Sequence, residues 1–248
     1  MIILKSQEEL LHIREAGRLV AEAQAFIQKY LRPGVTTEEL DLQIASFLKE
    51  KKAQSTFLGY RGFPAHICTA INEEVVHGIP GKRELSSGDI IGIDIGIKLK
   101  GYCGDRAVTY PVGIISQKAK ELLKVTEEAL YRGIKKAVVG NRLSDISHVI
   151  QSYIEKRGYS VVRDYVGHGI GQKMHEDPQI PHFGPPGRGP RLKEGMVLAI
   201  EPMVNAGDFG VKVKRDNWTV VTSDGSLSAQ FEHTVAITKK GPWILTEL

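Results

Sequence analysis

The chain has 248 residues, enough for one large domain or two small ones, with a core that needs no disulfide or metal staples. With 42% hydrophobic and 25% charged residues, its composition excludes disorder, collagen and coiled coil as the main state. The net charge of +4 comes without a block of five or six like charges, so a nucleic-acid-binding tail is excluded and DNA is not an expected partner.

Met1-Ile2-Ile3-Leu4 is too short for a signal-peptide core, and charges follow at once. No run is long enough to span a bilayer. The two cysteines, Cys68 and Cys103, form neither a disulfide framework nor a Cys-x-x-Cys zinc site, and reduced thiols fit the cytoplasm. The expectation is a soluble cytoplasmic protein without a membrane partner. The one compositional oddity is glycine, at 26 residues.

In chain order, Ser6 and Glu9 have capping-box spacing and open a helix expected to run to Leu31, where Pro33-Gly34 stops it. Thr36 and Glu39 repeat that spacing before an apolar stripe of Leu40, Ile44, Phe47 and Leu48. Ile90 to Tyr110 reads as two strands joined near Leu99–Gly101. A third helix is expected from Gln117 to Ala137, broken by Gly140, and a fourth from Ser144 to Arg157. Val197–Val204 and Phe231–Ile237 are strand-like runs.

The later elements echo the earlier ones. Gly34 precedes Leu40 by six residues, as Gly140 precedes Ile146. Leu85-x-x-Gly88 leads into Ile90-Ile91-Gly92-Ile93-Asp94, and Leu192-x-x-Gly195 leads into Val197-Leu198-Ala199-Ile200-Glu201. The offset is 106 at the helices and 107 at the strands. Each half also has a His-Gly-Ile triplet, at His77 and His168. Chance similarity of short stretches is the alternative, but one offset across separate elements favours a duplication, with halves of about 1–112 and 113–248 packed about a pseudo-twofold axis.

In the first-half hairpin, Asp94 and Asp105 should lie opposite or diagonal on one face, with Ile91, Ile93, Ile95 and Ile97 on the other. Two like charges there need solvent or a cation to offset their repulsion. Gly92 and Gly96 would leave room for a cation beside Asp94. Glu201 takes the repeat position of Asp94 inside an apolar run, where a charge is normally paired or metal-bound. Glu232 sits in another such run, and His168 lies between Gly167 and Gly169, free of bulky neighbours. Four carboxylates and one imidazole suit Mn²⁺, Fe²⁺ or Co²⁺ and offer more donors than one small ion needs. Two ions with a hydroxide between them are the natural reading. His175-Glu176 is not a zincin helix, because Pro178 would break it. The Gly167-x-Gly169-x-Gly171 run lacks the context of a dinucleotide site.

These residues resemble the type I methionine aminopeptidases of the pita-bread metallopeptidase superfamily. The likeness spans essentially the whole chain. It is carried by Asn72-Glu73-Glu74-Val75-Val76-His77-Gly78-Ile79-Pro80, Gly167-His168-Gly169-Ile170-Gly171 with His175-Glu176, Ala199-Ile200-Glu201-Pro202-Met203, and Ala229-Gln230-Phe231-Glu232-His233-Thr234. The resemblance implies an α+β fold of two pseudo-twofold-related halves, with a central curved antiparallel sheet covered by helices. It also implies a cytoplasmic hydrolase that removes the initiator methionine of nascent proteins with a small second residue, by attack of metal-held hydroxide on the peptide carbonyl.

By the same resemblance Asp94, Asp105, His168, Glu201 and Glu232 ligate two divalent ions, with Zn²⁺ an admissible alternative. His77 contacts the substrate near the scissile amide, His175 hydrogen-bonds the carbonyl oxygen, and Glu201 doubles as proton shuttle. Tyr60, Phe63, Cys68 and Trp218 form a tight apolar pocket for methionine. Phe57 stands where well-known members carry Cys, and Met174 where an aromatic often precedes the second histidine. The length fits the short bacterial form, without a zinc module or the type II insertion. A monomer is expected, and the mild positive charge permits transient ribosome contact without requiring it.

Overall fold

The computed structural model describes residues 1–248. In the first half, α1 (Gln7–Ile27) and α2 (Thr37–Glu50) precede β1 (Gln54–Ser55), β2 (Cys68–Ile71), β3 (Glu74–Val76), β4 (Ile90–Leu99) and β5 (Tyr102–Pro111). In the second, α3 (Gln117–Ile134) and α4 (Leu143–Glu155) precede β6 (Ser160–Val161), β7 (Gly167–Gly169), β8 (Glu176–Ile180), β9 (Val197–Ile200) and β10 (Met203–Asn205). The chain ends with β11 (Val211–Val213), β12 (Val220–Thr222), β13 (Ser228–Gln230), β14 (His233–Thr238) and β15 (Gly241–Ile244). No helix is long and apolar enough to cross a membrane.

Both expected capping boxes form: Ser6 and Glu9, and Thr36 and Glu39, each exchange side-chain and backbone bonds. α1 stops at Ile27, short of the expected Leu31, and tightens into a 3-10 turn over Gln28–Tyr30 before Leu31 turns extended. Pro33 disfavours helix for the residue before it, so the chain leaves the helix early. α3 ends at Ile134 rather than Ala137, again in a tighter last turn. α4 begins one residue before Ser144 and ends at Glu155, two residues short of the expected Arg157. Asp145 caps the start by accepting from the Arg142 N–H at 2.8 Å.

All strand pairs are antiparallel. One sheet runs β1-β4-β2 with β5 on β4, and the largest runs β15-β14-β9-β7-β8. A seam closed by two threonine hydroxyls joins β5 to β14 of that largest sheet and to β13 of the separate β13-β10-β6 sheet. Thr234 Oγ1 accepts the Asp105 N–H at 3.1 Å and donates to Asp105 O at 2.9 Å. Thr109 Oγ1 likewise accepts from Gln230 N at 3.0 Å and donates to Gln230 O at 2.8 Å. The seam sets the acidic residues of one half against those of the other.

Ile91, Ile93, Ile95 and Ile97 are fully buried against α1 and α2, as the alternation requires. The second half has its own core, where Leu122, Leu130, Ile146 and Ile150 of the helices meet Leu198, Ile200 and Val235 of the sheet. α1 lies close on β5 because Gly104 has no side chain: a Cβ there would sit 2.7 Å from the Gly17 nitrogen. The repeat is written in the backbone as well. Gly34 N–H donates to Leu85 O, and Gly140 N–H to Leu192 O; Glu38 donates to Gly81, and Ser144 to Arg188. These pairs keep the offsets of 106 and 107 seen in the sequence.

Candidate metal centre

Asp94 and Asp105 are diagonal neighbours on one face of the β4–β5 hairpin, Asp94 opposite Ala107 and Asp105 opposite Gly96. His168 is the middle residue of β7, between β8 and β9. The two glutamates are not inside strands, which corrects the sequence expectation. Glu201 follows β9, where Pro202 has no N–H to continue a ladder. Glu232 occupies the break between β13 and β14, its N–H donating to Ala107 O at 2.9 Å across the seam.

His168 Nδ1 lies 2.9 Å from Gly169 O. A carbonyl only accepts, so Nδ1 carries the hydrogen and Nε2 presents a lone pair. Nε2 is 3.7 Å from Asp105 Oδ2 and 3.5 Å from Glu201 Oε1. Ligand atoms of Asp105, His168 and Glu232 lie within 4.8 Å of one another, and all three residues are buried. Asp94 Oδ1, Asp105 Oδ1 and Glu232 Oε1 are buried with no hydrogen-bond partner. Buried carboxylate oxygens left in this way are expensive. An oxygen-rich set with one imidazole and three orphaned oxygens fits hard or borderline divalent cations.

Electrostatics agree with the geometry. Burial pushes the Asp94 carboxyl up to about 7, and drives Asp105, Glu201 and Glu232 well above the usual carboxylate range, with mutual repulsion adding to the last three. Burial, with His175 nearby, lowers His168 to about 3, so its imidazole is neutral and able to ligate. Burial also lowers His77 to about 4, and lowers His175, where Arg61 adds to the effect. Both are neutral at pH 7.

A cleft of about 1050 Å³ opens onto this centre. Tyr60, Phe63, Cys68, His77, His175 and Trp218 all line it, as do Phe57 and Met174; Glu232 lies behind the lining. Phe63 packs edge-on against Trp218 at 5.1 Å, and Phe57, Cys68 and Met174 join the same apolar cluster. The His175 ring is 4.3 Å from that of His168 and 5.2 Å from that of Tyr60, centre to centre, and the His77 ring stands edge-on to Tyr165 at 5.5 Å. The expected tight apolar pocket is thus one wall of a wider cleft, whose lining also includes Arg61, Lys98, Asp164 and Lys173.

The glycines have other duties than those expected. A Cβ on Gly96 would overlap the Thr56 hydroxyl and press on Met174 and Phe57 at 3.1 Å, so the missing side chain admits protein rather than a cation. Cβ atoms on Gly167 and Gly169 would overlap the carbonyls of Ala199 and Asp177, so these glycines let the backbones of β9 and β8 close on β7. Sequence reasoning also missed two supports of Glu201. His182 Nε2 accepts its N–H at 3.1 Å, and Gln230 Nε2 donates to its Oε2 at 3.1 Å. Gln230 lies within the quoted Ala229–Thr234 stretch, whereas nothing in the sequence around His182 signals its role.

An antiparallel framework that gathers buried carboxylates and an imidazole beneath a cleft defines a metal-dependent hydrolase. Comparison with known proteins makes the class specific. The profile of metallopeptidase family M24 matches residues 12–239. Methionine aminopeptidase 1 of Bacillus subtilis is 60% identical over 248 residues, covering 100% of both chains. The crystal structure of methionine aminopeptidase from Rickettsia prowazekii superposes with a TM-score of 0.98 at 46% identity, over 99% of this chain and 100% of that one. The Xaa-Pro dipeptidase from Bacillus anthracis shares the fold, with a TM-score of 0.78 at 23% identity, and this chain spans 62% of it. The chain belongs to metallopeptidase family M24 and has the pita-bread fold.

Proposed function

We propose that this chain is an aminopeptidase that removes the N-terminal methionine of nascent proteins whose second residue is small. One observation carries the reading: unpartnered, buried carboxylate oxygens beside an imidazole lone pair, under a cleft with a sulfur- and aromatic-lined wall. The names of its close relatives support it. In this reading Asp94, Asp105, His168, Glu201 and Glu232 hold two divalent cations, Mn²⁺, Fe²⁺ or Co²⁺, with Zn²⁺ admitted by the same donors. When bound, such ions polarise a carbonyl and acidify water.

The remaining steps belong to the chain's own residues. Tyr60, Phe63, Cys68 and Trp218 take the methionine side chain, whose thioether suits sulfur and aromatic edges. His77 contacts the peptide near the scissile amide. His175, neutral, donates to the carbonyl oxygen as negative charge gathers there. Glu201, steadied by His182 and Gln230, takes a proton from the attacking water and returns it to the leaving amine. The same reading makes the chain one catalytic domain of two halves, 1–112 and 113–248. It is a cytoplasmic monomer whose charge of +4 tolerates transient ribosome contact.

The test is to strip the protein of metal, refill it with each of the four cations in turn, and assay Met-Ala-Ser against Xaa-Pro peptides. Release of methionine alone is expected. Xaa-Pro cleavage without methionine release would overturn the reading. So would tight, salt-sensitive rRNA binding with no peptidase activity.

A further inference from the structure

His175 sits on a turn whose underside is ionic. Lys5 Nζ and Glu176 Oε2 are 2.5 Å apart, joined across 171 residues of sequence, with side chains only 3% and 7% exposed. Lys5 also donates to Ile3 O at 3.2 Å, and its N–H donates to Gly195 O at 2.7 Å, which ties it to the second half. The other Glu176 oxygen, Oε1, accepts the Lys173 N–H at 3.2 Å. One carboxylate therefore closes the turn from Lys173 to Glu176 and anchors it to the N-terminal segment. Gly171 supplies the space, since a Cβ there would lie 2.8 Å from Glu176 Oε1 and 2.9 Å from Lys5 Nζ.

An ion pair is a costly way to fill such a place. Two desolvated charges recover their hydration only in good geometry, and an apolar pair of similar volume often holds as well or better. What an apolar pair lacks is direction, and direction is what the residue before Glu176 requires. The His175 ring lies against the rings of His168 and Tyr60, and its aim depends as well on the turn beneath it.

We propose that Lys5 and Glu176 are positioning residues for His175: the buried pair fixes the Lys173–Glu176 turn so that the imidazole points into the cleft. The catalytic consequence rests on the aminopeptidase reading, while the positioning itself does not.

The test uses the full chain carrying Lys5→Met, Glu176→Gln, both together, or Lys5→Arg. Lys51→Met, which breaks the exposed pair with Glu22, is the control. Each single neutral variant should lower kcat on Met-Ala-Ser by about tenfold to a hundredfold, with KM within about threefold of the parent. The double variant leaves no buried charge unpaired, so it folds, and its loss should fall well short of the product of the single losses. Lys5→Arg should recover most of the rate. NMR of the metal-free protein gives the second readout: the His175 ring resonances should move in the neutral variants, those of the His168 ring 4.3 Å away should follow less, and those of His233 should stay. Unmoved His175 resonances, or His233 moving equally, would overturn the proposal. A parent that releases no methionine would instead refute the peptidase reading, and the NMR result would still decide the positioning.

Discussion

Stripping the metal should make stability fall as pH rises through neutrality. In the folded chain burial holds the carboxyls of Asp105, Glu201 and Glu232 well above their usual range and Asp94 at about 7. In the unfolded chain all four lose their protons near pH 4. Above that the folded state binds more protons, so stability declines with pH. For Asp94 the span from 3.8 to about 7, at about 1.36 kcal/mol per pH unit, comes to about 4 kcal/mol once the pH passes 7. The buried histidines work oppositely: with folded values of about 3 to 4 for His77, His168, His182 and His233, they cost stability only below about pH 6.5. From about pH 7.5 upward the unfolded histidines have lost nearly all their protons and are close to silent. There each carboxyl still holding its proton costs about 1.4 kcal/mol per pH unit, or about 3–6 °C of Tm for a chain of this size. Calorimetry of chelator-treated protein should show that fall, and refilling with Mn²⁺ should flatten it. A metal-free Tm that is level or rises over this range would refute the buried acidic centre.

Other predictions follow from single side chains. His175→Ala should lower kcat by about 10²–10³, roughly 2.7–4 kcal/mol, with metal content unchanged by atomic absorption; an unchanged kcat would remove its role. Asp105→Ala or Glu232→Ala should abolish ion-dependent turnover, and near-parent activity after refilling would contradict the assignment. Thr234→Val breaks both hydroxyl bonds of the seam and strands the Asp105 N–H, at about 1–3 kcal/mol. Urea unfolding should show the lower midpoint without a change in slope, and an unaltered midpoint would argue against the seam.

Helices and the hairpin were legible because their signals are local. Ser6, Glu9, Thr36 and Glu39 act within one turn of helix, and the alternation of Ile91 to Ile97 acts within one strand. The pairing of Asp94 with Asp105 followed from that register alone. The seam and the Lys5–Glu176 pair join residues from 121 to 171 apart in sequence, and no short-range pattern records such contacts. Glycine misled for a related reason. Its missing side chain signals close approach but not by what: at Gly96 the visitor is protein rather than a cation, and at Gly167 and Gly169 it is the neighbouring strands.

The duplication explains why two halves converge on one centre, and its imperfection explains why their acids differ. Asp94 and Asp105 sit inside ten-residue strands, Asp94 between β2 and β5, and Asp105 between β4 and the Thr234 hydroxyl. Such residues suit a fixed ligand. Glu201 and Glu232 sit at breaks between strands, and Glu201 is steadied by two side chains instead of a ladder. A carboxylate on a strand break, with an amide donor on one oxygen and the other facing the His168 lone pair, can trade partners without disturbing a sheet. Under the proposed mechanism, that setting suits Glu201 to the proton shuttle better than Asp94, its counterpart in the repeat.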